Sequence, residues 1–150
     1  MEALVRSGKT RFIGVSNFTI PQLDELWSFA DTKPACNQVE AHPWFPQEEL
    51  IQYCQSKGIA LVAYSPLGSQ PGAMHEVKAR LLDDEDIIRV ASKNGVDPAQ
   101  LLISWAGKLV PTKSAKHRDT VNFSTVQRGT VVIPKSGTPS RIRANLNGNT

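Results

Sequence analysis

The sequence lacks the long apolar runs and clustered cysteines that mark several common classes of protein. No window approaches the roughly eighteen consecutive apolar residues of a membrane-spanning helix. The opening residues, MEALVRSGKTRF, contain no apolar stretch of the kind found in secretory signals. The two cysteines, Cys36 and Cys54, form no CxxC pair. We therefore expect a cytoplasmic protein with free, mostly buried thiols and without a metal site.

A concentrated charge of one sign is also missing. The formal net charge is +3, from 17 Lys and Arg against 14 Asp and Glu, and the basic residues are scattered. A nucleic-acid interface would require a basic stripe or patch. We expect neither a nucleic-acid partner nor a membrane partner. At 150 residues and 40% apolar content, the chain fits one globular domain or part of a larger one.

Four short apolar runs are present, and each is too short for a helix. They are RFIGVS at 11–16, CNQVEA at 36–41, ALVAYS at 60–65 and TVVIP at 130–134. Helix-start signals lie between them, at Thr19–Gln22, Pro46–Glu49, Asp97–Gln100 and Thr138–Pro139. Alternating strands and helices predict βαβ units and a parallel α/β sheet.

Ligands of parallel α/β folds bind beyond the carboxyl ends of the strands, so the residues at those positions are candidates for a binding site. Hydroxyls, amides, an aromatic ring and two cations occur there: Ser16, Asn17, Gln38, Tyr64, Ser65, Ser69, Lys135, Ser136, Thr138 and Arg141. Such a lining suits a polar, anionic and partly aromatic ligand.

The segment from Lys135 to Arg141 indicates an anion site. Thr138 would cap a helix whose N-terminus carries partial positive charge, and Lys135 and Arg141 would add full charges suited to a phosphate monoester. The alternative is an ordinary helix cap with two solvated cations, which spacing alone slightly favours. Tyr64 could stack on a flat ring or could be a core-edge tyrosine. Ser16, Asn17 and Gln38 could bind a carboxamide or could stabilise turns.

Catalytic groups are not evident. The chain shows no Ser/His/Asp array, and His42 is interpreted as a packed loop histidine. Asp83 to Asp86 are interpreted as a solvated helix start.

Five stretches, taken together, resemble the aldo-keto reductase family: GKTRFIGVSNF, ACNQVEAHPWF, YCQSKGIALVAYSPLGS, DPAQLLISWA and RGTVVIPKSGTPSRIRANL. The resemblance implies a (β/α)₈ TIM barrel, of which this chain matches roughly the last four β/α units, so that 1–150 form a partial oxidoreductase domain. It also implies NADP(H) as cofactor, with aldehydes or ketones reduced to alcohols by hydride transfer, and therefore a small-molecule carbonyl substrate.

The resemblance implies a role for each matching residue. Ser16, Asn17 and Gln38 match residues that hold the nicotinamide carboxamide, and Tyr64 matches the ring that stacks on the nicotinamide. Ser65, Leu67 and Ser69 match the loop beside the pyrophosphate. Lys135, Ser136 and Arg141 match the residues that bind the adenosine 2′-phosphate, with Thr138 and Asn145 as further contacts at that end. Ala144 stands where the family usually has Glu.

Two departures qualify this interpretation. No residue corresponds to the family's catalytic tetrad of Asp, Tyr, Lys and His, so we expect the chain alone to be inactive. Met1–Glu2 resembles an internal point of the family's helix before the fifth strand. Residues 107–125 form an atypical insert, either a true surface insertion or the product of a faulty gene model. The alternatives are a non-catalytic NADP-binding or regulatory module and an unstable fragment. Open strand edges near 11–15 and 130–133 would permit self-association.

Overall fold

The computed structural model describes residues 1–68, 80–107 and 128–147. Four parallel strands form one sheet in the order β1-β2-β3-β4, with β1 at Val15–Ser16, β2 at Cys36–Glu40, β3 at Ala60–Tyr64 and β4 at Val131–Val132. All four lie inside the apolar runs of the sequence, and the prediction of a parallel α/β sheet is confirmed. Ser69 and residues 108–125 of the insert lie outside the described residues.

The outer strands are shorter than the apolar runs that contain them. β1 and β4 have two residues each, whereas β2 and β3 have five. Within the described residues, β1 pairs only with β2 and β4 pairs only with β3. β1 and β4 are thus the edge strands of the described sheet.

Four helices begin at the four start signals of the sequence. Thr19 forms a capping box with Gln22, whose Oε1 accepts the Thr19 N–H at 2.9 Å. Asp97 Oδ1 accepts the N–H of Ala99 at 2.8 Å, at the start of another helix. The helices are α1 Glu2–Arg6, α2 Ile20–Phe29, α3 Glu48–Ser56, α4 Glu85–Lys93, α5 Pro98–Gly107 and α6 Pro139–Asn147, with a 3-10 helix at Leu81–Asp83.

Helices α2 and α3 pack against one face of the sheet and form what we call the first core. Its buried residues are Leu23, Val39, Leu50, Ile51, Cys54, Ile59 and Leu61. Cys54 is free and fully buried, and Cys36 is free and half-buried, in agreement with the sequence. Burial raises the pKa of the Cys54 thiol, so it remains protonated and packs as an apolar group.

A second core is formed by the 3-10 helix, α4 and α5. It consists of buried Leu81, Ile87 and Leu102, with Leu67 and Leu82 packed against it. Asp84 Oδ1 accepts the N–H groups of Asp86 and Ile87 at 3.0 Å and caps α4. The acidic run at 83–86 is therefore a helix start, as predicted.

The opposite face of the sheet is less covered. Ser16, Gln38, Val62 and Val131 lie in register across the four strands. Gln38 and Val62 are half-buried, and Ser16 and Val131 are exposed, whereas Asn37 and Leu61 of the neighbouring row are buried. The helices of the first core thus cover one face of the sheet, and the row containing Gln38 lies on the other.

Candidate functional site

The carboxyl ends of β1, β2 and β3 bring four of the predicted binding residues together. Ser16 Oγ and the Asn17 N–H both donate to the carbonyl oxygen of Gln38, each at 2.9 Å. The Tyr64 hydroxyl donates to Asn17 Oδ1 at 3.3 Å. These bonds fix Asn17 between two strands and place the Tyr64 ring beside it.

Two residues at this edge adopt a left-handed backbone conformation without being glycine. Asn17 has φ 58° and Ser65 has φ 47°. Such torsions are uncommon outside glycine and occur preferentially at binding and catalytic sites. At Ser65, whose carbonyl accepts the Gly68 N–H at 2.9 Å, the torsion turns the chain sharply after β3. The backbone from Ser65 to Gly68 therefore runs over the sheet edge.

A first cavity of about 820 Å³ lies at this edge, between the starts of α2 and α3. Asn17 and Tyr64 line it, together with apolar Phe18, Ile20 and Phe45. The charged residues among its described lining are Glu40, Glu48 and Glu49. The cavity can accept an uncharged or cationic group, and it disfavours a phosphate.

A second cavity of about 560 Å³ lies at the carboxyl end of β4 and the start of α6. It brings together five predicted residues: Leu67, Lys135, Ser136, Arg141 and Asn145. Ser136 Oγ accepts the Thr138 N–H at 3.2 Å, and the Thr138 carbonyl accepts the Ile142 N–H at 3.0 Å as α6 begins. The two predicted cations and a helix N-terminus thus border one cavity, and this set of donors fits a phosphate.

Some predicted residues stand apart from both cavities. Ser65 and Thr138 are not among the described lining of either one, and neither are Ser16 and Gln38. Ser16 and Gln38 are nevertheless joined to the first cavity through Asn17.

Four polar residues of the second cavity were not predicted as site residues from the sequence. Arg80, Asp97, Gln100 and Ser140 contribute to its lining. Asp97 and Gln100 were recognised only as a helix start. Arg80 follows no strand, and nothing in the local sequence indicates that its segment returns to the end of β4.

His42 is a packed loop histidine, as predicted. It is buried, its Nε2 lies 3.1 Å from Glu40 Oε1, and its backbone forms a two-way bridge with Phe45. Gln47 Nε2 also donates to the Glu40 carbonyl at 3.0 Å. The pair stabilises the loop that forms one wall of the first cavity.

In the part of the chain that the structure describes, no group of three or more His, Cys, Asp or Glu residues is placed to bind a metal ion. No helix among these residues is long and apolar enough to cross a membrane.

Comparison with known proteins agrees with this geometry. The model of the aldo/keto reductase family matches residues 1–149. A glycerol 2-dehydrogenase (NADP(+)) of Hypocrea jecorina is 43% identical over 147 residues, which are 98% of this chain and 40% of that protein. An aldehyde reductase of Saccharomyces cerevisiae is 43% identical over 148 residues, which are 97% of this chain and 39% of that protein.

A solved structure shows the same fold. Aldose reductase from Giardia lamblia superposes with a TM-score of 0.77 and 34% identity, covering 99% of this chain and 42% of that one. The four parallel strands with their helices correspond to part of an α/β TIM barrel. The chain spans about two fifths of the length of the relatives it matches. On the match to the family model and on this structural likeness, the chain belongs to the aldo/keto reductase family.

Proposed function

We propose that this chain binds NADP(H) and forms the coenzyme-binding part of a carbonyl reductase. The observation that carries the proposal is the second cavity, where Lys135, Ser136, Arg141 and Asn145 meet beside the start of α6. Relatives named as NADP(+)-dependent dehydrogenases, such as the one from Hypocrea jecorina, support the choice of coenzyme.

At the phosphate end, each residue would have a distinct task. Arg141 offers a planar fork that can donate two hydrogen bonds to one phosphate, and Lys135 offers a compact charge. Ser136, whose Oγ accepts the Thr138 N–H, can donate its own proton to a phosphate oxygen. Asn145, one turn beyond Arg141, would contact the adenosine, and Thr138 would hold the turn that leads into α6.

At the ring end, Ser16, Asn17 and Gln38 would hold the nicotinamide carboxamide. Asn17 Oδ1 already accepts the Tyr64 hydroxyl, so the Asn17 Nδ2 is the group that would donate to the carboxamide oxygen. The Tyr64 ring would stack on the nicotinamide, an uncharged contact that suits an acidic cavity. Ser65, Leu67 and Ser69 would follow the pyrophosphate. The bound coenzyme supplies the hydride for carbonyl reduction.

We propose further that these 150 residues alone bind the coenzyme without turning over a carbonyl substrate. Carbonyl reduction requires a proton donor at the substrate oxygen. The Tyr64 hydroxyl donates to Asn17, and His42 is buried against Glu40. Among the residues that the structure describes, neither group is therefore placed to give a proton to a substrate oxygen. A purely regulatory NADP-binding module is the second candidate, and it rests on the same cavity.

Calorimetric titration with NADPH and NADH tests the binding proposal. Lys135→Met combined with Arg141→Ala removes two charge-assisted contacts, so the Kd for NADPH should rise about thirtyfold or more while the Kd for NADH changes little. Arg89→Met with Lys93→Met, on the exposed side of α4, is the matched control and should bind like the wild type. The absence of saturable binding up to millimolar NADPH, or an unchanged affinity in the double variant, would overturn the proposal.

A separate assay tests the lack of turnover. The intact chain with NADPH and benzaldehyde should show no loss of absorbance at the reduced coenzyme's band above a protein-free blank. Steady oxidation by a sample of verified mass would show that this chain contains its own proton donor, and it would leave the binding proposal standing.

We also propose that copies of the chain associate through β1 and β4, each of which pairs on one side only within the described residues. Val131 on β4 is 51% exposed, and an unpaired parallel edge offers free backbone donors and acceptors. Light scattering after size-exclusion chromatography should show a mass above 16.4 kDa that falls toward the monomer in Val131→Lys. A monomeric wild type would contradict this proposal.

A further inference from the structure

Arg80 lies on the lining of the second cavity together with Lys135 and Arg141. Neither its position in the chain nor any motif indicates this, because residues 69–79 separate it from the end of β3. The described lining therefore contains three cations and one carboxylate, that of Asp97. The described lining thus has an excess of two positive charges, and without Arg80 the excess would be one.

The backbone of Arg80 is held in place by the residue that follows it. Leu81 is buried in the second core with Ile87 and Leu102. Gly68, at φ +80°, approaches so closely that a Cβ there would lie 3.1 Å from the Leu81 Cβ. The segment that carries Arg80 is thus fixed against the turn after β3, and the guanidinium extends from an anchored position.

The side chain of Arg80 is available to a ligand. It is 62% exposed, and its Nε lies 3.8 Å from Asp83 Oδ2, a long contact between two exposed groups. Such exposed pairs contribute little free energy and are readily exchanged for a stronger partner. Asp97, in contrast, is engaged with the start of α5, where its Oδ1 accepts the Ala99 N–H at 2.8 Å.

We infer that Arg80 is a third cation for the adenosine 2′-phosphate and contributes to the preference for NADP(H) over NAD(H). The inference rests on the proposed function of the second cavity. A phosphate monoester carries close to two negative charges near neutral pH, more than Lys135 or Arg141 alone neutralises. Arg80 would leave Asp83 and donate to the phosphate from a segment separate from β4 and α6.

Titration of the Arg80→Met variant with both coenzymes tests the inference. The Kd for NADPH should rise about three- to fivefold, the Kd for NADH should be unchanged, and the NADPH affinity should depend less steeply on salt. Arg89→Met is the matched control, because Arg89 is 61% exposed and also pairs with an Asp three residues away. It does not line the cavity and should leave both Kd values unchanged.

Asp83→Asn provides a test in the opposite direction. Removing the carboxylate that competes for Arg80 should lower the Kd for NADPH about twofold. The same change in the Arg80→Met background should have no effect, since the two substitutions act through one guanidinium.

The outcomes separate this inference from the proposal on which it rests. If Lys135→Met with Arg141→Ala weakens NADPH binding but Arg80→Met does not, the inference about Arg80 fails and the binding site stands. Equal weakening of NADPH and NADH by Arg80→Met would also overturn it, because the contact would then not be to the 2′-phosphate. If the wild-type chain shows no saturable NADPH binding, the proposed function fails, and the inference falls with it.

Discussion

The two cavities at the carboxyl edge of the sheet differ most in charge. The described lining of the first contains Glu40, Glu48 and Glu49, and that of the second contains Arg80, Lys135, Arg141 and Asp97. A dinucleotide with an uncharged ring at one end and a phosphate at the other would experience opposite fields at its two ends. The orientation of the proposed coenzyme would thus be set by electrostatics before any close contact forms.

The two cavities also rest on different cores. The first core, with Leu23, Val39 and Leu61, supports the first cavity, and the second core, with Leu81 and Leu102, supports the second. A substitution in one core should therefore leave the packing of the other core unchanged, except at a residue that contacts both regions.

Arg128 is such a connection, and its removal should have the largest effect on stability. It is only 8% exposed, its guanidinium lies 4.0 Å from the centre of the Trp105 ring on α5, and it donates to the carbonyl of Pro46 beside the first cavity. Gln55 Nε2 donates to its carbonyl at 2.8 Å. We expect Arg128→Ala to lower the free energy of unfolding by about 2–4 kcal/mol.

Urea denaturation followed by circular dichroism measures this change. Arg128→Met keeps the apolar stem that packs on Trp105 but loses the charge, so it should lower the free energy of unfolding about half as much as Arg128→Ala. Burial lowers the pKa of Arg128, but the group remains protonated across the accessible pH range, so the loss should not depend on pH. A change within about 0.5 kcal/mol would show that the two regions are not joined through this residue.

The next largest loss of stability is expected from replacing a glycine by alanine. One such glycine lies in each region, so the two variants can be compared directly. Gly58, between α3 and β3, has φ +70°, and a Cβ at that position would meet nothing within 4 Å. Gly68 has φ +80°, and a Cβ there would lie 3.1 Å from the Leu81 Cβ, which is a tight contact. Both Gly→Ala changes carry backbone strain of about 1 kcal/mol. Gly68→Ala should also displace Leu81, so its total loss of unfolding free energy should be about 2–3 kcal/mol.

Thermal denaturation of both variants measures the difference. Gly68→Ala should additionally weaken NADPH binding, because Leu81 positions one wall of the second cavity, and Gly58→Ala should not. Equal losses of stability in the two variants would mean that the contact between Gly68 and Leu81 is not tight.

A smaller effect is expected from Tyr53, on the outer side of the first core. Its hydroxyl donates to Asp24 Oδ1 at 2.5 Å, and this hydrogen bond, with burial and the Asp24 charge, raises the pKa of Tyr53 to about 12 from 10.0. The folded state therefore favours the protonated phenol. The contribution of the protonated phenol to the stability of the folded state is fully present below pH 10 and is lost as the pH rises from 10 through 12.

Tyr53→Phe should lower the free energy of unfolding by about 1 kcal/mol at neutral pH, the usual value of one hydrogen bond. The difference between wild type and variant should shrink above pH 10 in denaturant titrations across pH. Asp24→Asn should remove most of the pH dependence while keeping an acceptor. A constant difference up to pH 12 would contradict the assignment.

Much of the fold could be predicted because its signals are local. The capping box at Thr19–Gln22, the Asp97 cap and the stop at Gly58 are each specified by a few adjacent residues. The parallel pairing of Ser16, Gln38 and Val62 follows from the order of strands and helices along the chain. These features depend little on distant contacts.

The remaining features depend on contacts between distant segments. Arg80 lies at the second cavity beside Leu81, which packs against Gly68, and Arg128 meets Trp105 and Pro46 only in the folded chain. The negative lining of the first cavity arises because the start of α3 lies beside the end of β2. No short motif encodes such approaches, so the charge contrast between the cavities is visible only in the structure.

The smallest effect is expected from deleting residues 107–125, the atypical insert. The chain is already joined across this interval, because Thr130 Oγ1 donates to the carbonyl of buried Ala106 and Arg128 packs on Trp105. Shortening a loop whose ends are held together lowers the entropy lost on closing it. We expect the deletion to leave the free energy of unfolding unchanged or raised by up to about 1 kcal/mol, with NADPH affinity preserved. Replacement by a Gly/Ser stretch of equal length separates the effect of length from that of composition, and a loss above about 1 kcal/mol on deletion would show that the insert belongs to the folded domain.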